Sequence, residues 1–235
     1  MTEKHQARND NSEQIRISVI GWLTRFLMLT TLLLTAGRVT YWQGWVFSGL
    51  SVLRLLASHI MFVNKTDLIA ERANPGPGAK GWDKIIYMIY IPMLIATVIV
   101  GGLDAGRFGW TAALPWYVYA ISIIVNILAH GINLWAMWIN KFFSSMVRIQ
   151  TERGHEVIQN GPYQFIRHPG NIGVILLQIS GSLILGSIWA LIPAGVIVVL
   201  VVVRTYLEDL TLQRELQGYI RYTEKVRFRF LPGIW

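Results

Sequence analysis

The sequence predicts an all-α integral membrane protein of five to six transmembrane helices, the last two forming a tight helical hairpin. Three observations predict it. Only 14% of the 235 residues are charged and 53% are hydrophobic, whereas a soluble domain carries about 25% charged residues. Several apolar runs approach the ~20 residues that one helix needs to cross a bilayer, and mean hydropathy is +0.44. Lysine and arginine fall in alternate connecting segments, which is the positive-inside signature of a multi-pass chain.

The elements follow in order. Residues 1–14 are polar with mixed charge and read as a disordered or loosely attached tail; nothing there resembles a cleavable signal. The first span runs from about Ile17 to Ala36, with Arg25 inside it. Gly37 to Thr40 is a short link, and Trp42 to Val63 is the second span, carrying Arg54 and His59. A charge at that depth faces a cavity or a partner. Residues 64–84 form a long polar loop. Within it Asp67 to Arg72 suits a short surface helix, and Asn74-Pro75-Gly76-Pro77-Gly78 can only be a turn.

The third span is Ile85 to Leu103 with Pro92 as a kink, followed by a link from Asp104 to Trp110. The fourth, Ala113 to Ile139, places Asn126, His130, Asn133 and Trp138 along one polar stripe, which suits interhelical hydrogen bonding. Asn140 to Pro169 is too polar and too broken by glycine and proline to span. Ile172 to Val203 is too long for one helix, and Gly186-Ser187 and Pro193 divide it into helices near 172–186 and 188–207, the second continuing through Glu215. The tail 216–235 is basic and aromatic.

With the N-terminus inside, the outer links hold only Arg38 and Arg107, and the remaining loop charges lie on the inner side. Residues 140–171 and 204–235 then share one face. The net charge of +8 and pI near 9.9 report this topology rather than nucleic-acid binding. The chain has no cysteine, which excludes disulfides and thiolate metal sites.

Four clusters are candidates for chemistry. Arg167-His168-Pro169 sets an imidazole and a guanidinium at the mouth of the hairpin, because Pro169 keeps His168 out of helix and starts the next one; the plainer reading is an interfacial anchor. Glu208-Asp209 are paired carboxylates that positive-inside bias does not explain. They suit an amine or a ribose diol, or Glu208 simply pairs with Arg204 one turn away. The third is the Asn126-His130-Asn133 stripe, and the fourth is Asn140-Lys141-Phe142-Phe143, where the chain leaves the membrane. There is no dinucleotide fingerprint, phosphate loop or paired-histidine zinc motif, and Gly161-Pro162-Tyr163 is no nucleophile elbow.

Read together, Gly154-His155-x-Val157-x-x-x-Gly161-Pro162-Tyr163-x-x-x-Arg167-His168-Pro169-x-x-x-Gly173 resembles the isoprenylcysteine carboxyl methyltransferase family and the related phospholipid methyltransferases. So do Arg204, Glu208, Asp209 and Leu212, and the ending from Glu215 through Tyr219, Tyr222, Val226 and Arg229 to Pro232. The resemblance covers about residues 130–235. It implies a membrane enzyme using S-adenosyl-L-methionine, enclosed by the C-terminal half at the cytosolic face, with a lipidic or hydrophobic acceptor arriving from the bilayer. By carry-over, His155, Val157, Gly161, Tyr163, Arg167, His168, Pro169 and Asn171 surround the cofactor, Glu208 and Asp209 help bind it, and Arg204 and Glu208 are the catalytic candidates. Asn171 stands where the family has tyrosine, which keeps hydrogen bonding and gives up an aromatic face. The implied domain plan is a tail (1–14), three N-terminal spans (15–112) and a methyltransferase core (113–235) with its cofactor loop at 140–171. The implied location is a bacterial-type plasma membrane. Two alternatives stay open: a sterol-type membrane reductase using NADPH, and a non-catalytic lipid-binding protein.

Overall fold

The computed structural model describes the backbone of all residues except 1, 64, 74, 231, 232 and 234, and side chains except also those of 2–14 and 66. The side chains of Lys4 and Arg8, residues Asn64 and Asn74 of the first loop, and Leu231, Pro232 and Ile234 of the closing motif lie outside the described residues. Among the described residues there are eight α-helices and no strand. They are α1 (Thr2–Ala36), α2 (Trp42–Phe62), α3 (Thr66–Ala73), α4 (Gly81–Gly101), α5 (Trp116–Ile139), α6 (Pro169–Ile184), α7 (Leu191–Glu215) and α8 (Tyr219–Lys225).

Among the described residues five segments are long and apolar enough to cross a membrane: Ile15–Ala36, Trp42–Phe62, Gly81–Phe108, Trp116–Ile139 and Leu191–Glu215. α6 is the shorter arm of the hairpin, 16 residues, which at 1.5 Å per residue gives about 24 Å. Its partner α7 begins after a turn at 185–190, where Gly186 takes φ +75°, a left-handed conformation suited to glycine.

Two expectations are corrected. The tail read as loosely attached is helical from Thr2, continuous with the first span, and its Glu, Lys, Gln, Ala and Arg residues are good helix formers. The link expected from Asp104 is instead a π-helical continuation of α4, Gly102–Phe108. Close packing explains it, since a Cβ on Gly102 or Gly106 would collide with Thr35 or Ala36 of α1. Asp104 is fully buried there, and its carboxylate accepts hydrogen bonds from Thr111 N (2.6 Å), Thr111 Oγ1 (2.6 Å) and Ser187 Oγ (2.5 Å).

The helices close a ring: α5 packs on α6, α6 on α7, α7 on α4, α4 on α1, α1 on α2, and α2 back on α5 and α6. Large apolar side chains such as Ile60, Met88 and Leu34 point outward, as lipid contact requires, while polar side chains turn inward. Asn126 Nδ2 donates to Ser180 Oγ at 2.9 Å between α5 and α6. The tight approach of these two helices rests on Gly173, where a Cβ would lie 2.9 Å from the Ala129 carbonyl.

The two ends of the ring differ in charge. One end gathers the links 37–41, 109–115 and 185–190, joined by Tyr41, whose hydroxyl lies 2.5 Å from the Leu185 carbonyl and 3.2 Å from that of Gly101. Exposed Trp42, Trp45, Trp110, Trp116 and Trp189 surround it, forming an interfacial aromatic belt. The opposite end gathers the basic segments 63–80, 140–168 and 216–235, tied by Lys80–Glu215 at 2.7 Å.

Candidate active site

The polar segment after α5 keeps a fixed path because other elements satisfy its backbone. Phe142 N donates to Asn140 Oδ1 (2.9 Å), and the buried Gln150 Nε2 donates to Phe142 O (2.8 Å). Val147 N donates to Asp83 Oδ2 (2.6 Å), and Lys80 N to Val147 O (3.0 Å). Arg148 is buried and meets Glu71 of α3 through Nε (2.8 Å) and Nη2 (2.6 Å), with Glu152 at 2.6 Å. These hydrogen bonds, from Glu71 first, raise the Arg148 pKa. Burial pushes the Glu71 pKa up, but the bonds from Arg148 and Ser144 outweigh it and hold the carboxyl below its ordinary value. The loop is therefore fastened to the N-terminal half of the chain.

Further on, His155 packs its ring on Phe142 at 4.5 Å and accepts a hydrogen bond from Gln150 N at Nδ1 (3.2 Å). Burial, and then the nearby Arg148 and Arg153, depress its pKa to about 4, so the imidazole is neutral at pH 7. Gly161 has φ +59°, and a Cβ there would lie 2.8 Å from Ile139. His168 lies outside the helical region (φ −127°, ψ 59°) and Pro169 opens α6 at its first position, where proline is tolerated.

Asp209 on α7 is fully buried and joins three segments. Arg167 grips it bidentately (Nε–Oδ1 2.8 Å, Nη2–Oδ2 3.0 Å). His168 Nε2 (3.2 Å), Tyr219 OH (3.0 Å), Gln213 Nε2 (2.8 Å) and Arg229 Nε (2.9 Å) also reach it. Arg167 Nη1 continues to the carbonyls of Val226 and Arg227, and Arg167 N and His168 N donate to those of Phe228 and Arg229. The basic tail thus folds back along the loop, and Tyr222 OH donates to Tyr163 O (2.6 Å).

The adjacent residue, Glu208, faces a cavity of about 340 Å³. Asn171 Nδ2 donates to Thr205 Oγ1 (2.9 Å) and Glu208 Oε2 (3.3 Å). His168 Nδ1 is 3.8 Å and Arg204 Nη1 3.6 Å from the same carboxylate oxygen. Arg204 is otherwise turned to Asp83 (Nε–Oδ1 2.8 Å, Nη2–Oδ2 3.4 Å) and to the Ser145 carbonyl (3.2 Å).

The expected site residues divide accordingly. His155, Val157, Tyr163, Arg167, His168 and Asn171 border the cavity, as do Arg204 and Glu208. Gly161, Pro169 and Asp209 do not border it; they set the loop turn, the start of α6 and the anchoring of the tail. Arg204, a catalytic candidate in the sequence, is held along two of its edges by Asp83 and the Ser145 carbonyl. Sequence reasoning missed Glu71, Asp83, Arg148, Tyr87 and Tyr90, all in or fastened to the N-terminal half. Acids at the edges of spans on a basic face were the available signal.

The architecture is a ring of apolar helices with a polar cavity between a loop and the last span. Residues 120–214 match the model of the Isoprenylcysteine carboxyl methyltransferase (ICMT) family. The match falls on α5, the loop, α6 and α7, the elements that carry the first two motifs but not the ending from Glu215 to Pro232, and it supports the family resemblance for this part of the chain. No curated protein matches the chain.

Proposed function

We propose that the chain is a methyltransferase that uses S-adenosyl-L-methionine and methylates a lipidic acceptor at the cytosolic face of a bacterial-type plasma membrane. The observation that carries this reading is Glu208, a partly accessible carboxylate held at a cavity wall by Asn171, His168 and Arg204 within the stretch that matches the family. The residues fit the cofactor. Glu208 suits an ammonium or ribose hydroxyls, the neutral His155 and the Tyr163 ring offer an uncharged wall, and about 340 Å³ lies within the range of small-ligand pockets.

When bound, the cofactor supplies a methyl group on a positively charged sulfur. The chain's contribution is orientation, because an in-line displacement depends on alignment more than on proton transfer. Glu208 and Asn171 orient one partner. Arg204, fixed by Asp83, holds positive charge beside Glu208 and so sets the local field. Tyr219 and Tyr222, both buried, close the aqueous side and exclude water.

The test is transfer of label from methyl-labelled S-adenosylmethionine into the organic phase of a membrane-lipid extract by the purified chain. Label appearing there supports the reading, and its release as volatile methanol by base identifies an ester. No incorporation by a folded chain that binds the cofactor would contradict a lipidic acceptor.

A further inference from the structure

Five arginines border the cavity, and they are not equivalent. Arg148, Arg167 and Arg204 are each matched to a buried acid: Glu71, Asp209 and Asp83 respectively. Arg54 of α2 and Arg72 of α3 are not. Arg54 donates from Nη2 to the neutral Asn133 Oδ1 (3.0 Å). Arg72 stacks over the Phe143 ring at 5.0 Å, and its Nη1 is buried without a hydrogen-bond partner. Neither forms an ion pair with a carboxylate among the described residues. Both border the same cavity. Buried charge without an opposite charge is strongly unfavourable, and a fold that matches three cavity arginines to acids and leaves two unmatched at the same cavity offers an anion a place beside them.

Position narrows what the anion belongs to. Arg54 precedes the loop-side end of α2 by eight residues, about 12 Å at 1.5 Å per residue. Positive-inside bias places arginines in loops rather than at that depth. Tyr87 and Tyr90 of α4, a tilted pair at 5.6 Å, border the same cavity and add hydroxyl donors. Guanidinium forks match phosphate and carboxylate.

We infer that Arg54 and Arg72 form an anion-binding subsite at the membrane end of the cavity, which takes the phosphate or carboxylate head group of an acidic amphiphile. This names the acceptor class and rests on the methyl-transfer reading. The subsite sorts acceptors by head-group charge, while the apolar tail stays in the bilayer.

The experiment measures binding of dodecyl phosphate, dodecanoate and dodecanol to the full chain in a neutral maltoside detergent, with S-adenosylhomocysteine binding measured in parallel. Wild type should prefer one or both anions over the alcohol by about tenfold or more, and the tighter anion assigns phosphate or carboxylate. The doubly substituted R54Q/R72Q chain should lose that preference and keep S-adenosylhomocysteine binding. Lys84→Gln, which removes an exposed cation, should keep both. If R54Q/R72Q does not fold, R54K/R72K keeps the charge without the fork and should show a weakened preference. No preference in wild type, a preference that survives R54Q/R72Q, or one unchanged in R54K/R72K overturns the subsite. Loss of S-adenosylhomocysteine binding in R54Q/R72Q overturns it too, and assigns the arginines to the cofactor's carboxylate. A wild type that prefers anions and binds no S-adenosylhomocysteine leaves the subsite standing and removes the methyl-transfer reading.

Discussion

Asn171 shows how one side chain acquires its role from its neighbours. It lies in the first turn of α6 and donates to both Thr205 and Glu208 of α7. Asn171→Ala should leave Glu208 without that donor and weaken S-adenosylhomocysteine binding several-fold, while thermal stability changes little; unchanged binding would detach Asn171 from the site. Arg148 is a different case. It is buried against Glu71, and removing one member of a buried pair costs about 3–5 kcal/mol. Arg148→Ala should therefore lower the thermal midpoint in detergent more than Arg148→Lys, and equal midpoints would show that the pair does not hold the loop. His155 gives a pH dependence. Its folded pKa lies near 4, below the ordinary value of about 6.5. The unfolded chain therefore binds the extra proton first as pH falls. This contribution to stability is full above about pH 6.5 and declines towards pH 4, and His155→Phe should flatten that part of the melting-temperature profile. A profile with the same slope in both chains would contradict a neutral buried His155.

At the scale of elements, Asp209 fastens α7 to the loop and to the returning tail. Asp209→Ala should release residues 216–235 to limited proteolysis, while the spans stay protected; a tail equally resistant in both chains would mean that its backbone bonds to Arg167 and His168 suffice. The hairpin was legible in the sequence because its signals are local: an uncharged run too long for one helix, with Gly186 and Pro193 to break it. The Arg167-His168-Pro169 start of α6 was legible for the same reason. The π-helical Gly102–Phe108 segment was not. What favours it is contact of Gly102 and Gly106 with α1, far away in sequence. The same limit hid Asp83 and Glu71. An acid near a span looks like surface charge until Arg204 and Arg148, more than seventy residues on, are brought to it. Likewise Glu208-Asp209 was legible as one acidic pair, but only the packing separates Glu208 at the cavity from Asp209 in the anchor.

For the whole molecule, charge and aromatic residues sort to opposite ends of one helical ring. The basic end carries the cavity, and the proposed orientation places it in the cytosol. The chain contains no cysteine, so a single introduced thiol reports sidedness cleanly. Lys225→Cys should react with an impermeant maleimide only after the membrane is opened, and Arg38→Cys should react from outside intact cells; the reverse pattern would invert the topology. Arg54, Arg72, Tyr87 and Tyr90 bring the N-terminal spans to the cavity, so the site belongs to the complete ring rather than to residues 113–235 alone. The central claim is that the Glu208 cavity holds S-adenosylmethionine. Calorimetric binding of S-adenosylhomocysteine to the detergent-purified chain, wild type beside Glu208→Gln, tests it most directly. The account predicts saturable binding to wild type that falls at least about tenfold in the variant at an unchanged melting temperature. A well-folded wild type that binds none, or a variant that binds as tightly, would contradict it.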